Sequence, residues 1–282
     1  MKNFEGKVAA VTGAGSGIGR SLALQLAEQG CSVACSDIDE QSLVETARII
    51  EEALKNTTET SLKNGVTITQ HIVDVANEQQ CRDFADAVVQ SHCKVNLVIN
   101  NAGVAVGGTI EELKYEDMHW LMNINFWGVV HGSKAFLPYL KQSGEGHIVN
   151  ISSIFGLMAV PTQGIYNASK FAVRGFTEAL RIELMNEPVN VSTAFPAGIK
   201  TNIVANARVD PATNSDEEER AAKLDKLFIN TAEVAAQDIL NGVKKNKARI
   251  LVGKGAGKVD FFTRLVPDFV SRYVGRFNDE LM

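Results

Sequence analysis

A tyrosine and a lysine stand four residues apart in the segment Tyr166-Asn167-Ala168-Ser169-Lys170. On a helix that spacing puts both side chains on one face, a turn from each other. A free phenol titrates near ~10 and is mostly protonated at neutral pH. A neighbouring ammonium stabilises the phenolate, which is what a side chain needs in order to take and return a proton. Ser153 precedes Tyr166 by thirteen residues, in Asn150-Ile151-Ser152-Ser153. No activating histidine follows it, so its hydroxyl suits stabilising charge on an oxygen better than attack. A Ser/His hydrolase is disfavoured for the same reason, although His131 and His147 are present. A Tyr–Lys pair alone is ordinary helix chemistry; the surrounding residues decide its meaning.

The second cluster is the glycine loop Thr12-Gly13-Ala14-Gly15-Ser16-Gly17-Ile18-Gly19-Arg20, between an apolar run and an amphipathic stretch. Glycines there let the chain turn sharply and let a pyrophosphate approach the backbone. The helix that follows offers free N–H groups and a partial positive charge. Asp37 ends the next apolar run, about 20 residues beyond the glycines, where a carboxylate accepts hydrogen bonds from the ribose hydroxyls of NAD. It would repel the 2′-phosphate of NADP, which wants a cation. Neither Ser16 nor Ile38 supplies one, and Arg20 and Arg48 are the nearest. NAD is therefore favoured over NADP.

These residues need a frame. Apolar runs at 7–11, 32–36, 67–72, 97–99, 147–151, 190–194 and 249–252 are rich in Val, Ile and Ala. They read as strands buried on both faces. Helical periodicity fills 18–29, 40–54, 78–91, 115–140 and 166–185, with Gly30 as a C-cap after the first. The alternation predicts an α/β fold, a Rossmann-type doubly wound sheet of about seven parallel strands. The expected organisation is a single domain over 1–282: a cofactor half to about 150, then a catalytic and substrate half. Asp74-Val75 and Asn100-Asn101-Ala102-Gly103 follow the third and fourth runs, at the carboxyl ends where such sheets bind ligands.

Together these motifs resemble the short-chain dehydrogenase/reductase family. The loop Gly13-x3-Gly17-x-Gly19 matches its TGxxxGxG signature, residues 100–103 its NNAG turn, and Tyr166-x3-Lys170 its YxxxK pair. The resemblance runs from about residue 7 to 201. It implies a catalytic set of Asn125, Ser153, Tyr166 and Lys170. Asn125 would hold a helix kink and a water linking Lys170 to solvent; the family spacing prefers it to Asn123, and Ser153 to Ser152. It also implies cofactor contacts at Gly13, Ser16, Gly17, Ile18, Gly19, Asp37, Asp74, Val75, Asn101, Ala102 and Gly103. Tyr166 and Lys170 join them, with Lys170 holding the nicotinamide ribose. Phe195-Pro196-Ala197-Gly198-Ile199-Lys200-Thr201 resembles the family's PGxxxT segment, adding Pro196, Ile199 and Thr201. Ala197 stands where the family has glycine, with Gly198 next, which puts the local turn in question.

The implied activity is hydride transfer between NAD and a secondary alcohol or ketone, with tyrosine as acid and base, its phenolate stabilised by Lys170 together with the positive nicotinamide ring. Two alternatives stay open: an NADPH-dependent carbonyl reductase, and a dinucleotide-binding sensor without turnover. Phe155, Leu157, Met158, Val160 and Ile165 follow the serine and point to a hydrophobic substrate. The family further implies a homo-oligomer, a dimer or tetramer.

Composition narrows the classes. Charged residues make up 22%, hydrophobic ones 45%, and net charge is −5, as in an ordinary globular chain. The one basic pair, Lys244-Lys245, is too little to neutralise nucleic-acid phosphates. Cys31, Cys35, Cys81 and Cys93 show no metal-ligand spacing, so no metal is expected, and free thiols suit a cytoplasmic location. No apolar run is long enough to span a bilayer. Three stretches lie outside the core pattern: a polar insertion at 55–65, a substrate loop at about 202–230 with acidic residues at 216–219, and a tail at about 258–282. The tail carries Phe261, Phe262, Leu265, Phe269 and Tyr273 beside Arg264, Arg272 and Arg276. It reads as packing on its own domain or across a dimer, as a substrate lid, or as a helix lying on a membrane surface.

Overall fold

The structure, a computed structural model, describes residues 1–56, 65–201, 203, 206–209 and 229–276. Its strands are β1 (Val8–Thr12), β2 (Ser32–Asp37), β3 (Ile68–Ile72), β4 (Leu97–Asn100) and β5 (Val106–Gly107). β6 (Gly146–Ile151), β7 (Val189–Pro196), β8 (Arg208–Val209) and β9 (Arg249–Val252) follow. Seven of them form one sheet in the order β3-β2-β1-β4-β6-β7-β9, and every pairing is parallel. The short β5 and β8 pair separately.

A parallel sheet needs cover on both faces, and the sequence supplies it by alternation. Ala9 and Val11 of β1 face one layer; Val8 and Ala10 face the other. The first layer is α1 (Gly17–Glu28), α2 (Glu40–Asn56) and α7 (Ala232–Lys244), through Leu22, Leu26, Leu43, Ile50 and Ile239. The second is α3 (Glu78–His92), α5 (Gly128–Gln142) and α6 (Gly164–Glu183), through Phe84, Phe136, Leu140 and Leu180. Burying each such side chain contributes about 1.5–3 kcal/mol. Gly30, with φ of 78°, turns the chain out of α1 into β2.

Strand order reverses between β1 and β4, which opens a crevice at their carboxyl ends. The site residues gather there.

The structure departs from the sequence expectation in one informative place. The stretch 115–140, expected as one helix, is α4 (Tyr115–Met122), a π-helical turn (Asn123–Trp127) and then α5. The extra residue lets Asn125 leave the helix face and bond the backbone of Val104 at both ends of its amide. The tail forms α8 (Ala256–Leu265) and α9 (Pro267–Arg276). Residues 57–64 of the expected insertion, 210–228 of the substrate loop and 277–282 of the tail lie outside the described residues, as does the helix expected near 221–228. No described helix is long and apolar enough to cross a membrane.

Candidate active site

The glycine loop joins β1 to α1 and is built of backbone. Gly13 has φ of 65°, and a Cβ there would fall 2.8 Å from Ala102 Cα. A Cβ at Gly19 would fall 2.0 Å from the Gly13 carbonyl oxygen. These two glycines are therefore steric necessities, because loop, helix and the 100–103 turn touch through main chain. Ser16 occupies the N-cap of α1 but makes no side-chain cap, and no acidic residue stands in the first turn. The first N–H groups of α1 are thus left to an outside acceptor. Ile18 packs into the core beneath.

The turn after β4 is clamped onto this loop. Asn101 donates from Nδ2 to the carbonyls of Thr12 (2.9 Å) and Gly13 (3.2 Å). Thr12 Oγ1 in return accepts the N–H groups of Asn101 (2.9 Å) and Ala102 (3.0 Å). Sequence reasoning passed over Thr12; its signal was a polar residue at the very end of a fully buried strand.

Asp37, at the end of β2, accepts the Gly15 N–H at 2.9 Å and borders the glycine loop. Arg20 is committed to Thr46 Oγ1 (2.9 Å) and to the Gly15 carbonyl. Arg48 is held by Glu45 at 2.8 Å and Glu52 at 2.5 Å. Both cations that left NADP open are thus engaged. Asp74 caps the turn after β3 by accepting the Ala76 N–H at 2.9 Å, and Val75 packs against Gly128.

On the other side of the crevice, β7 ends at Pro196 and Gly198 takes φ of 50°. That supplies the turn which Ala197 put in question, one position later. Ile199 bridges to Asn230, and Thr201 comes to rest against Gly17. Asn230 anchors the segment: it donates to the Ala197 carbonyl (2.6 Å) and accepts the Lys254 N–H (2.9 Å). Nothing local in the sequence singles Asn230 out, because its partners are 24 and 33 residues away.

The titratable residues sit between these walls. Ser153 follows β6, and its Oγ accepts the Phe155 N–H at 3.1 Å. It also hydrogen-bonds the Tyr166 phenol. Lys170 lies one turn along α6 with Nζ 5.5 Å from the Tyr166 ring centre, and it donates to the Ile151 carbonyl at 3.3 Å. Asn125 is fully buried; its amide also donates to Ser169 Oγ (3.3 Å), which donates to the Tyr166 carbonyl (2.8 Å). Gly103 lies against both: a Cβ there would stand 3.2 Å from Asn125 Oδ1 and 3.5 Å from Lys170 Nζ. Ser152 turns away and donates to the Lys170 carbonyl at 2.8 Å, while Asn123 is exposed. Neither His131 nor His147 approaches: they bond the Val75 carbonyl (3.1 Å) and Ser192 (2.8 Å).

Lys170 does not by itself bring the phenol down. Burial pushes Tyr166 up to about 12, opposed by the Ser153 hydrogen bond. The same desolvation pushes Lys170 down to about 8. Removing water disfavours the charged form of each group, and that outweighs an ammonium held over the ring rather than at the oxygen.

Known proteins carry the same architecture. The short chain dehydrogenase family matches residues 7–212. A Mycobacterium tuberculosis protein named as an oxidoreductase, SadH, is 45% identical over 277 residues, spanning 97% of this chain and 96% of its own. The 3-ketodihydrosphingosine reductase of Bacteroides thetaiotaomicron is 31% identical, covering 84% of this chain and 78% of its own. Among solved structures, a short-chain dehydrogenase/reductase of Burkholderia phymatum in complex with NAD superposes with a TM-score of 0.81 at 31% identity. The alignment covers 96% of this chain and 97% of that one.

Proposed function

We propose that this chain, which belongs to the short-chain dehydrogenase family and is an oxidoreductase, transfers hydride between NAD and a hydrophobic secondary alcohol or ketone. The observation that carries the reading is the meeting of Ser153, Tyr166, Lys170 and Asn125 at the sheet edge that also bears the glycine loop.

The residues present fit a dinucleotide. Glycines at 13, 17 and 19 let the loop pack closely against Ala102, Thr201 and its own carbonyl, and Ser16 opens a helix end that does not cap itself and so offers free N–H groups to a phosphate. Asp37 beside it would take the adenosine ribose, and with Arg20 and Arg48 engaged a 2′-phosphate finds no ready cation. Asp74 and Val75 would border the adenine. Asn101, Ala102, Gly103, Pro196, Ile199 and Thr201 would enclose the remainder. Bound there, the nicotinamide supplies a hydride acceptor or donor and, when oxidised, a positive charge.

The chain's own residues handle the proton. Ser153 donates a hydrogen bond to the substrate oxygen and holds it beside Tyr166. With its phenol pushed up to about 12, Tyr166 carries its proton at neutral pH and gives it to a ketone oxygen as that oxygen gains negative charge. In the oxidising direction Tyr166 takes the hydroxyl proton, which requires added positive charge near the phenol. Lys170, pushed down to about 8, exchanges its proton near working pH and restores charge at the site. Asn125 and Ser169 fix the first turn of α6, which carries Tyr166. The apolar class rests on Phe155, edge-on to Tyr166 at 6.2 Å, and on Ile110, which covers Gly164.

A panel of secondary alcohols and ketones, followed by nicotinamide absorbance with each cofactor, tests this directly. NAD-linked turnover of lipophilic substrates is expected. Preference for NADPH would overturn the cofactor reading, and NADH binding without any turnover would favour a sensor.

A further inference from the structure

The last two helices present an apolar face that the rest of the fold leaves exposed. α9 has no buried residue. Phe261 and Phe262 on α8 meet edge to face at 5.6 Å, and Phe269 and Tyr273 on α9 stack at 6.3 Å. Phe261 is 58% exposed and Phe269 61%, values unusual for phenylalanine. Phe269, Val270, Tyr273 and Val274 recur at helical spacing, so α9 carries one continuous stripe. The inner side of α8 is tied down: Ala256 is buried, and Asp260 pairs with Arg249 at 2.5 Å.

Charge indicates what covers this face. Lys254, Lys258, Arg264, Arg272 and Arg276 are exposed along residues 254–276, with Arg264 3.7 Å from Asp260, and Asp268 is the exposed acid among these residues. Residues 254–276 thus carry five basic side chains against Asp260 and Asp268, on a chain of net charge −5 whose next acids in sequence are Asp279 and Glu280.

We propose that α8 and α9 dock, apolar face inward, on the surface of an anionic lipid bilayer. Aromatic and aliphatic side chains enter the headgroup boundary while the basic rim meets lipid phosphates, the pattern of a helix that lies on a membrane without crossing it. A second copy of the chain is a poorer occupant. A two-fold contact through this face would set the cationic rim against its own image. α8 also packs against the turn Ile154–Gly156, directly after Ser153. Docking would therefore bring the bilayer close to the candidate active site.

The test is flotation of the full chain with two kinds of vesicle, pure phosphatidylcholine and an equimolar mixture with phosphatidylglycerol. Binding to the anionic vesicles, weakened by added salt, is expected. Arg272→Ala with Arg276→Ala should weaken it about thirtyfold, at roughly one decade or less per charge. Phe261→Ser with Phe269→Ser should abolish it, with circular dichroism and thermal midpoint unchanged because both rings are exposed. Equal binding to both vesicle types, or none to either, would overturn the proposal. So would lipid-free sedimentation showing a wild-type oligomer that the phenylalanine variant lacks, because the face would then be a subunit interface.

Discussion

Where α1 begins, the site is lined by backbone; where α6 begins, it is lined by side chains that titrate, Tyr166 half-buried and Lys170 buried. In the first region one methyl group is the dangerous change, since a Cβ at Gly19 would fall 2.0 Å from the Gly13 carbonyl oxygen. In the second, charge is the sensitive variable: Tyr166 is pushed up to about 12 and Lys170 down to about 8 by the same loss of water. On the proposed reading the two regions divide the work accordingly: one recognises a ligand by shape and free N–H groups, and the other holds a phenol proton more tightly and an ammonium proton less tightly than solution does.

If that division is real, the two regions fail separately. Tyr166→Phe should lower kcat by about 10²- to 10⁴-fold while leaving NADH affinity, read by fluorescence titration, nearly unchanged. Gly19→Ala should do the reverse. Forcing an atom into that contact costs up to about 3 kcal/mol, so NADH should bind about a hundredfold more weakly by calorimetry. A Gly19→Ala protein with normal affinity would break the comparison at its backbone end.

Asp37→Ala should have a smaller effect. Losing charge-assisted hydrogen bonds to the ribose costs about 1.5–3 kcal/mol, so the kcat/KM ratio for NAD over NADP should fall by at least about tenfold. An unchanged ratio would mean that another residue sets the preference.

The smallest effect sharpens the side-chain end. Lys170 is held below its usual range, so the folded protein binds that proton less tightly than the unfolded chain does. Its contribution to stability is present above the unfolded value of 10.5 and is lost as pH falls through about 8. At pH 7 the buried ammonium therefore costs stability. Lys170→Met should raise the thermal midpoint there by about 2–4 °C while activity collapses, and the gain should shrink as pH rises past 8. A variant that melts lower at pH 7 would show that Lys170 stabilises the fold.

The backbone region was the more legible in sequence, because its requirement is a residue type: glycine at 13, 17 and 19 after an apolar run needs no distant partner to be recognised. Tyr166 and Lys170 were legible as a pair, but their electrostatics were not. Burial is set by elements far along the chain, which helical spacing does not reveal. The π turn at Asn123–Trp127 was half legible: a kink was expected at Asn125, but periodicity does not reveal that one amide bonds both ends of Val104. Asn230 was not legible at all, since its role comes from contacts across the sheet edge. His147 shows why burial alone marks no site. The same desolvation pushes it down to about 3, yet it bonds Ser192 inside the core and meets no crevice.

The proposed mechanism requires Tyr166 to hold its proton in the protein alone and to yield it more readily once positive charge stands beside it. Tyrosinate absorbance, titrated in alkali as the difference between wild type and Tyr166→Phe, isolates that one phenol. Without NAD⁺ the difference should stay flat through pH about 10; with saturating NAD⁺ an ionisation should enter that range. An ionisation below pH about 9 in the protein alone, or no response to NAD⁺, would contradict the account.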